Sequence, residues 1–258
     1  MPNPYDLTGK VAVITGAAQG IGEATARLSA ERGAAGLLLT DRQAEKGEAV
    51  AADLRNQGIN ARFTVADLAD PDAPASIIAA ADDAFHRIDI LANIAGLTDR
   101  GSIRDTDIAL FDRMFAINVR APFFLMQGAI AVMEREGTAG AIVNIVSVNA
   151  HVGASILAPY SASKGALQTL TRNVANAVAQ QRIRVNALNI GWVDTPGERA
   201  VRRGEGDWLE KVEASRPWGR LLKPLDIARA IAFLASGESG LMTGAVIDFD
   251  QVVVGGGF

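Results

Sequence analysis

The stretch Val11-Ala12-Val13-Ile14-Thr15-Gly16-Ala17-Ala18-Gln19-Gly20-Ile21-Gly22 decides how the rest of the chain reads. Val11–Ile14 is a short apolar run of the kind a strand shows when both its faces are covered. Gly16, Gly20 and Gly22 follow with the spacing G-x-x-x-G-x-G, and Ile21–Arg32 then carries helical spacing with Ala24 and Leu28 inward. Glycines between a strand and a helix let backbone N–H groups approach a pyrophosphate at the helix N-terminus. The spacing alone is weak evidence, because a chain with 26 glycines meets it readily by chance. A tight turn without ligand is the plainer reading of the same residues.

Outward from this stretch, apolar runs alternate with longer helical segments. Strand-like runs recur at Gly36–Thr40, Ala61–Val65, Ile88–Ala92, Ala141–Val146, Arg184–Leu188 and Ala245–Phe249. Helical spacing lies between them at Gln43–Asn56, Pro71–His86, within Ile108–Arg135, and at Tyr160–Gln180 and Pro224–Ala235. Continuous apolar strands separated by helices imply a mainly parallel sheet covered on both faces. The expected fold is α/β: a single doubly wound Rossmann-type domain over 1–258, with seven strands. The charged, irregular stretch Trp192–Lys223 reads either as a solvated helix pair or as a lid over a substrate, since it follows a strand's carboxyl end.

Composition narrows the function. The net charge of −4 gives no polyanion-binding signature, so nucleic acid is not an expected partner. The absence of cysteine excludes disulfides, thiolate metal sites and cysteine catalysis, and fits a cytoplasmic location. With His86 and His151 the only histidines, no metal site is expected. The N-terminus carries no basic segment and apolar core of a leader, and no apolar run reaches ~18 residues, so no membrane span is expected either.

The ends of the strands carry polar residues. Asp41 closes the second, nineteen residues after Gly22. Its carboxylate can accept the ribose hydroxyls of an adenosine half and would repel a 2′-phosphate, which favours NAD over NADP. Arg42 works the other way, but Gln19 in the glycine loop supplies no second positive charge. Asp41 also suits a helix N-cap. Asp67-Leu68 and Asn93-Ile94-Ala95-Gly96 end the next two strands, as adenine and ribose contacts or as ordinary turn chemistry.

Tyr160 precedes Lys164 by four residues and follows Ser147 by thirteen. Four residues is just over one helical turn, so the phenol and the ammonium share a helix face. A lysine beside a phenol favours the phenolate and lowers its pKa, which suits proton exchange with an alcohol near neutral pH. Ser147 is placed to orient that alcohol. Asn149 and His151 are candidate polar contacts to a hydroxylated substrate, and Trp192 a candidate pocket wall. Loop packing is the plain alternative for each.

These motifs, in this order, resemble a short-chain dehydrogenase/reductase of the Tyr-based type. Thr15–Gly22 matches TGxxxGxG. Asn93–Gly96 resembles NNAG with Ile94 substituted, and Tyr160 with Lys164 matches YxxxK. Asn186 and Gly191 through Thr195 resemble the family's N…PGxxxT segment, with Ile190 where proline is usual. Asp250-Gln251-Val252 departs from the usual DGG. The resemblance implies that Asn118, Ser147, Tyr160 and Lys164 form a catalytic tetrad, with Asn118 linking Lys164 to solvent through a water. It implies that Lys164 and Tyr160 meet the nicotinamide ribose, that Thr195 beside Val193 holds the carboxamide, and that the protein is a homotetramer. The expected activity is interconversion of a secondary alcohol, polyol or sugar-like, and its ketone with NAD. A 3-oxoacyl carrier-protein reductase is the rival enzyme, and a non-catalytic NAD-binding sensor the rival of another class.

Overall fold

The computed structural model describes residues 5–204 and 206–254; both ends of the 1–258 reading and residue 205 of the charged stretch lie outside them. Seven strands, β1 (Val11–Thr15), β2 (Gly36–Asp41), β3 (Ala61–Val65), β4 (Ile90–Asn93), β5 (Ala141–Ser147), β6 (Arg184–Ile190) and β7 (Val246–Phe249), form one sheet in the order β3-β2-β1-β4-β5-β6-β7. Each neighbouring pair is parallel.

Side chains alternate across a strand. Ala12, Ile14, Leu37 and Leu39 therefore enter one core, and Val13 and Leu38 the other. Both faces need apolar cover, which is why the strands read as unbroken apolar runs. The helices α1 (Gly20–Glu31) and α2 (Ala44–Asn56) cover the first face with α10 (Pro224–Ala235). The second is covered by α3 (Ala73–Phe85), by α5 (Ala121–Arg135) and by the end of α7 (Ala158–Ala177). Strand order reverses between β1 and β4, so a crevice opens at their carboxyl ends, where such sheets bind ligands.

Two expectations change. The fourth strand begins at Ile90 rather than Ile88. The Asp89 carboxylate there accepts the Val11 N–H at 3.0 Å and two Arg87 N–H groups at 2.7 Å, and so anchors the chain ahead of the ladder. The second change concerns length. Helix α4 (Ile108–Phe115), a π-helical turn (Ala116–Arg120) and α5 run together as 28 residues with mean hydropathy 1.4 over the most apolar window. By length and composition this helix suffices to cross a membrane, which counting uninterrupted apolar runs did not foresee. Within the protein 44% of that window is buried, and Leu125, Met126 and Met133 belong to the second core.

Candidate active site

A cavity of about 860 Å³ opens at the carboxyl ends of β1, β4, β5 and β6. Its walls divide into a dinucleotide half, a proton-transfer centre and a covering segment.

In the dinucleotide half, α1 starts after Gln19 with no side-chain cap, leaving its N-terminus open to an anion. A Cβ on Gly16 would stand 3.1 Å from the Ala95 backbone, and one on Gly22 would overlap the Gly16 carbonyl. The glycines thus shape a groove that side chains would fill. Gly16, Gln19, Gly20, Ile21 and Gly22 all line it, as do Arg42, Asp67 and Leu68. Ala95, Gly96, Val193 and Thr195 line it from the other side. The Asp41 carboxylate accepts the Ala18 N–H at 3.2 Å through one oxygen and the Gln43 N–H at 2.9 Å through the other. It shapes the turn before α2, whose N-cap is Gln43, and is not itself the cap. Each oxygen retains a lone pair for a ribose hydroxyl. Beside it the Thr40 hydroxyl is buried without a partner. These features fit a nicotinamide dinucleotide.

Two assignments there are revised. Lys46 Nζ lies 3.0 Å from Gln43 Oε1 and 3.5 Å from Gln19 Oε1. A second cation therefore does stand near the glycine loop, brought by the first turn of α2. Asn93 is absent from the cavity wall. Its amide donates to Asn144 Oδ1 at 2.8 Å, and Asn144 donates in turn to Thr171 Oγ1 at 3.0 Å, a buried network joining β4, β5 and α7. Sequence reading passed over Thr15. Its hydroxyl accepts from the N–H groups of Ile94 at 2.9 Å and Ala95 at 3.0 Å and so ties the glycine loop to the end of β4. A hydroxyl placed directly before Gly16 was the available signal.

At the proton-transfer centre, Ser147 ends β5, and Tyr160 and Lys164 project from α7; all three are buried and line the cavity. Burial pushes the Tyr160 phenol above its ordinary pKa. The neighbouring Ser147 hydroxyl works against that rise, and the nearby Glu198 charge adds to it. Lys164 is pushed down to about 8 by burial. On both groups burial acts against the charged form, opposite to the lowering of the phenol expected from a neighbouring ammonium. Its Nζ donates to the Ile145 carbonyl at 2.8 Å and lies 5.9 Å from the Tyr160 ring centre.

Asn118 sits in the π-helical turn, fully buried and away from the cavity wall. Such turns recur at functional sites because they re-aim a side chain. Its carbonyl oxygen accepts the Leu97 N–H at 2.9 Å, and its amide donates to Leu97 O at 2.9 Å and Ser163 Oγ at 3.0 Å. It clamps the loop that carries Gly96 alongside Lys164, and is thus a positioning residue. Asn149 lines the cavity and His151 does not. Both lie on the one-turn helix α6 (Asn149–Val152), where positions two apart point about 200° apart. His151 instead lies 3.6 Å from Asp248 and 3.5 Å from Gln168.

The 192–223 stretch holds the helix pair α8 (Pro196–Val201) and α9 (Trp208–Ala214), and its Trp192, Glu198, Arg202 and Arg216 line the cavity. Asp194 fastens its neck: the carboxylate accepts from Arg199 at 2.6 and 2.8 Å and from Lys223 at 2.7 Å. Gln251, at the departure from DGG, accepts from the Trp218 N–H at 3.1 Å and donates to Arg220 O at 2.6 Å, bracing the same stretch. The two cations hold the Asp194 carboxyl down at about 2. A carboxyl depressed on folding adds stability above its unfolded pKa and loses it as pH falls through the folded value. Discounted for the exposed cations, Asp194→Asn should cost about 1–2 kcal/mol at neutral pH and about nothing near pH 2. Urea denaturation of both proteins across that range checks this, and an unchanged difference at acid pH would contradict it.

A family model described as enoyl-(acyl carrier protein) reductase matches residues 16–252. Cis-4-hydroxycyclohexanecarboxylate dehydrogenase of Sinomonas cyclohexanicum is 38% identical over 242 residues, 93% of this chain and 95% of its own. L-Sorbose reductase of Gluconobacter frateurii, solved with NADPH and L-sorbose, aligns with a TM-score of 0.91 at 26% identity, covering 98% of this chain and 100% of that one. The 3-ketoacyl-(acyl-carrier-protein) reductase of Brucella melitensis, solved with NADH, aligns at 0.85 and 33% identity, covering 95% and 98%. The two solved relatives hold dinucleotides that differ by the 2′-phosphate.

Proposed function

The chain belongs to the short-chain dehydrogenase/reductase family, and on that premise we propose that it interconverts a ring-bearing or polyhydroxylated secondary alcohol and its ketone, with Tyr160 as the general acid/base. The observation that carries this reading is the convergence of buried Ser147, Tyr160 and Lys164 on one cavity wall, with Lys164 Nζ 5.9 Å from the Tyr160 ring centre. A bound nicotinamide supplies hydride acceptance or donation. Ser147 orients the alcohol oxygen, and the Tyr160 oxygen takes its proton in the oxidising direction. Lys164 and Asp41 would hold the two riboses, and the 192–223 stretch keeps water from the centre. Asn149, Glu198 and Arg202 make the substrate end polar, which favours a hydroxylated ring over the acyl chain of a carrier-protein substrate. The relatives' hydroxycyclohexanecarboxylate and L-sorbose belong to the same chemical range. Homo-oligomerisation is part of this proposal, supported by the exposed Phe111, Phe123 and Phe124 on the long helix.

For the cofactor we propose NAD(H), on the charge of Asp41, with Arg42 and Lys46 leaving measurable use of NADP(H). The test is nicotinamide absorbance with the two 4-hydroxycyclohexanecarboxylates, hexitols and ketohexoses, and a 3-oxoacyl thioester, each with both dinucleotides. Turnover of a ring or polyol substrate is expected, with kcat/KM about tenfold or more higher for the NAD form. Activity confined to the thioester would sink the substrate class, and preference for the NADP form the cofactor assignment.

A further inference from the structure

Beside the cavity that Tyr160 lines, the 192–223 stretch builds an aromatic and cationic shelf. The Trp192 and Trp208 rings stack with centres 5.9 Å apart and planes 20° from parallel. The Arg202 guanidinium lies 4.5 Å from Trp192 and 5.2 Å from Trp208. Its charge is met by Glu198 at 2.7 Å. Arg216 lies 5.7 Å from the Trp192 ring and also lines the cavity, yet its situation differs. Its Nε is buried without a hydrogen-bond partner, and no carboxylate among the described residues pairs with it.

A buried guanidinium nitrogen with no acceptor is costly, and the acceptor that matches its planar fork is a carboxylate. Trp192 lines the same cavity and adds apolar surface beside the guanidinium for the rest of such a ligand. Glu198 is close enough for its charge to act on Tyr160, so the shelf and the phenol serve one pocket. The Asp99 and Asp250 carboxylates share the wall, and Asp250 already accepts the Gln251 N–H at 2.7 Å.

We infer that Arg216 recognises a carboxylate on the substrate, so that the enzyme takes a hydroxy or oxo acid whose acid group stands apart from the reacting carbon. This rests on the alcohol-dehydrogenase reading of the cavity. No covalent step involves Arg216; it would bind substrate and transition state alike, so its loss should raise KM and spare kcat.

The test compares wild-type protein, Arg216→Gln and Arg216→Lys on 4-hydroxycyclohexanecarboxylate and on its uncharged methyl ester. Wild type should prefer the acid. Arg216→Gln should lower kcat/KM for the acid about 30-fold, mainly through KM, and change the ester less than about threefold. Arg216→Lys should restore part of the loss. Equal effects on acid and ester, or a wild type that prefers the ester, overturn the inference. If neither alcohol is oxidised, the proposed reaction fails on these substrates, and the inference is then read from binding alone. Cyclohexanecarboxylate should quench tryptophan fluorescence saturably in wild type and not in Arg216→Gln; equal quenching in both, or in neither, overturns it.

Discussion

Tyr160→Phe is expected to abolish turnover and leave dinucleotide binding intact. The phenyl ring fills the same buried volume, so no cavity opens and the fold should persist. What disappears is the cavity-facing oxygen to which the proposed mechanism assigns the proton exchange. A positioned acid/base contributes about 10²–10⁴-fold, so kcat/KM should fall by about 10³-fold or more. Nicotinamide fluorescence titration should give a dissociation constant within about threefold of wild type, because the Asp41 and glycine-loop contacts are untouched. A variant keeping kcat/KM within about tenfold of wild type would end the assignment. The same logic sets the pH profile. Burial raises the phenol's pKa, so the oxidising direction should speed up as pH rises through the alkaline range, and the variant should show no such limb.

Lys164→Met should make the protein more stable while it destroys activity. Burial lowers the lysine's pKa from 10.5 to about 8, so holding its charge inside works against folding by about 3 kcal/mol at neutral pH. Methionine removes that burden but leaves the Ile145 carbonyl without its donor, which costs about 1–3 kcal/mol. A net gain of about 1 kcal/mol is expected at pH 7. The sign follows from linkage. Between pH 8 and 10.5 the unfolded chain holds the lysine proton that the folded chain has released, so wild-type stability rises there relative to the variant. The variant's advantage should therefore shrink and reverse as pH climbs towards 10. Urea melts at several pH values measure it; a variant less stable at pH 7 and equally so at pH 10 would refute the account. The residue would be a stability burden retained for function.

Much of the site was legible because it is written locally. The Val11–Gly22 strand–loop–helix and the Tyr160–Lys164 pair each lie within one element and its turn, where spacing fixes relative direction. Asp41 was legible because strand ends converge at the crevice. The failures are of another kind. His151 was grouped with Asn149 by nearness in sequence, and one turn of helix sends it the other way. Lys46 was overlooked because its reach to Gln19 depends on how α2 leaves the second strand. Asn93 is expected as a ribose contact, although its amide turns into the sheet to meet Asn144, 51 residues on.

The sequence by itself determined the seven strands, their parallel pairing and the crevice at their carboxyl ends, because apolar periodicity and turn glycines act over a few residues. Only the tertiary structure decided the surroundings of the Tyr160 and Lys164 side chains. Burial pushes the Tyr160 phenol up, and the Lys164 amine turns to a β5 carbonyl nineteen residues away. The structure likewise decided that Gln251 braces the covering stretch and that Arg216 faces the cavity unpaired. Desolvation and partner choice depend on which distant segments pack around a group, and no local pattern records that.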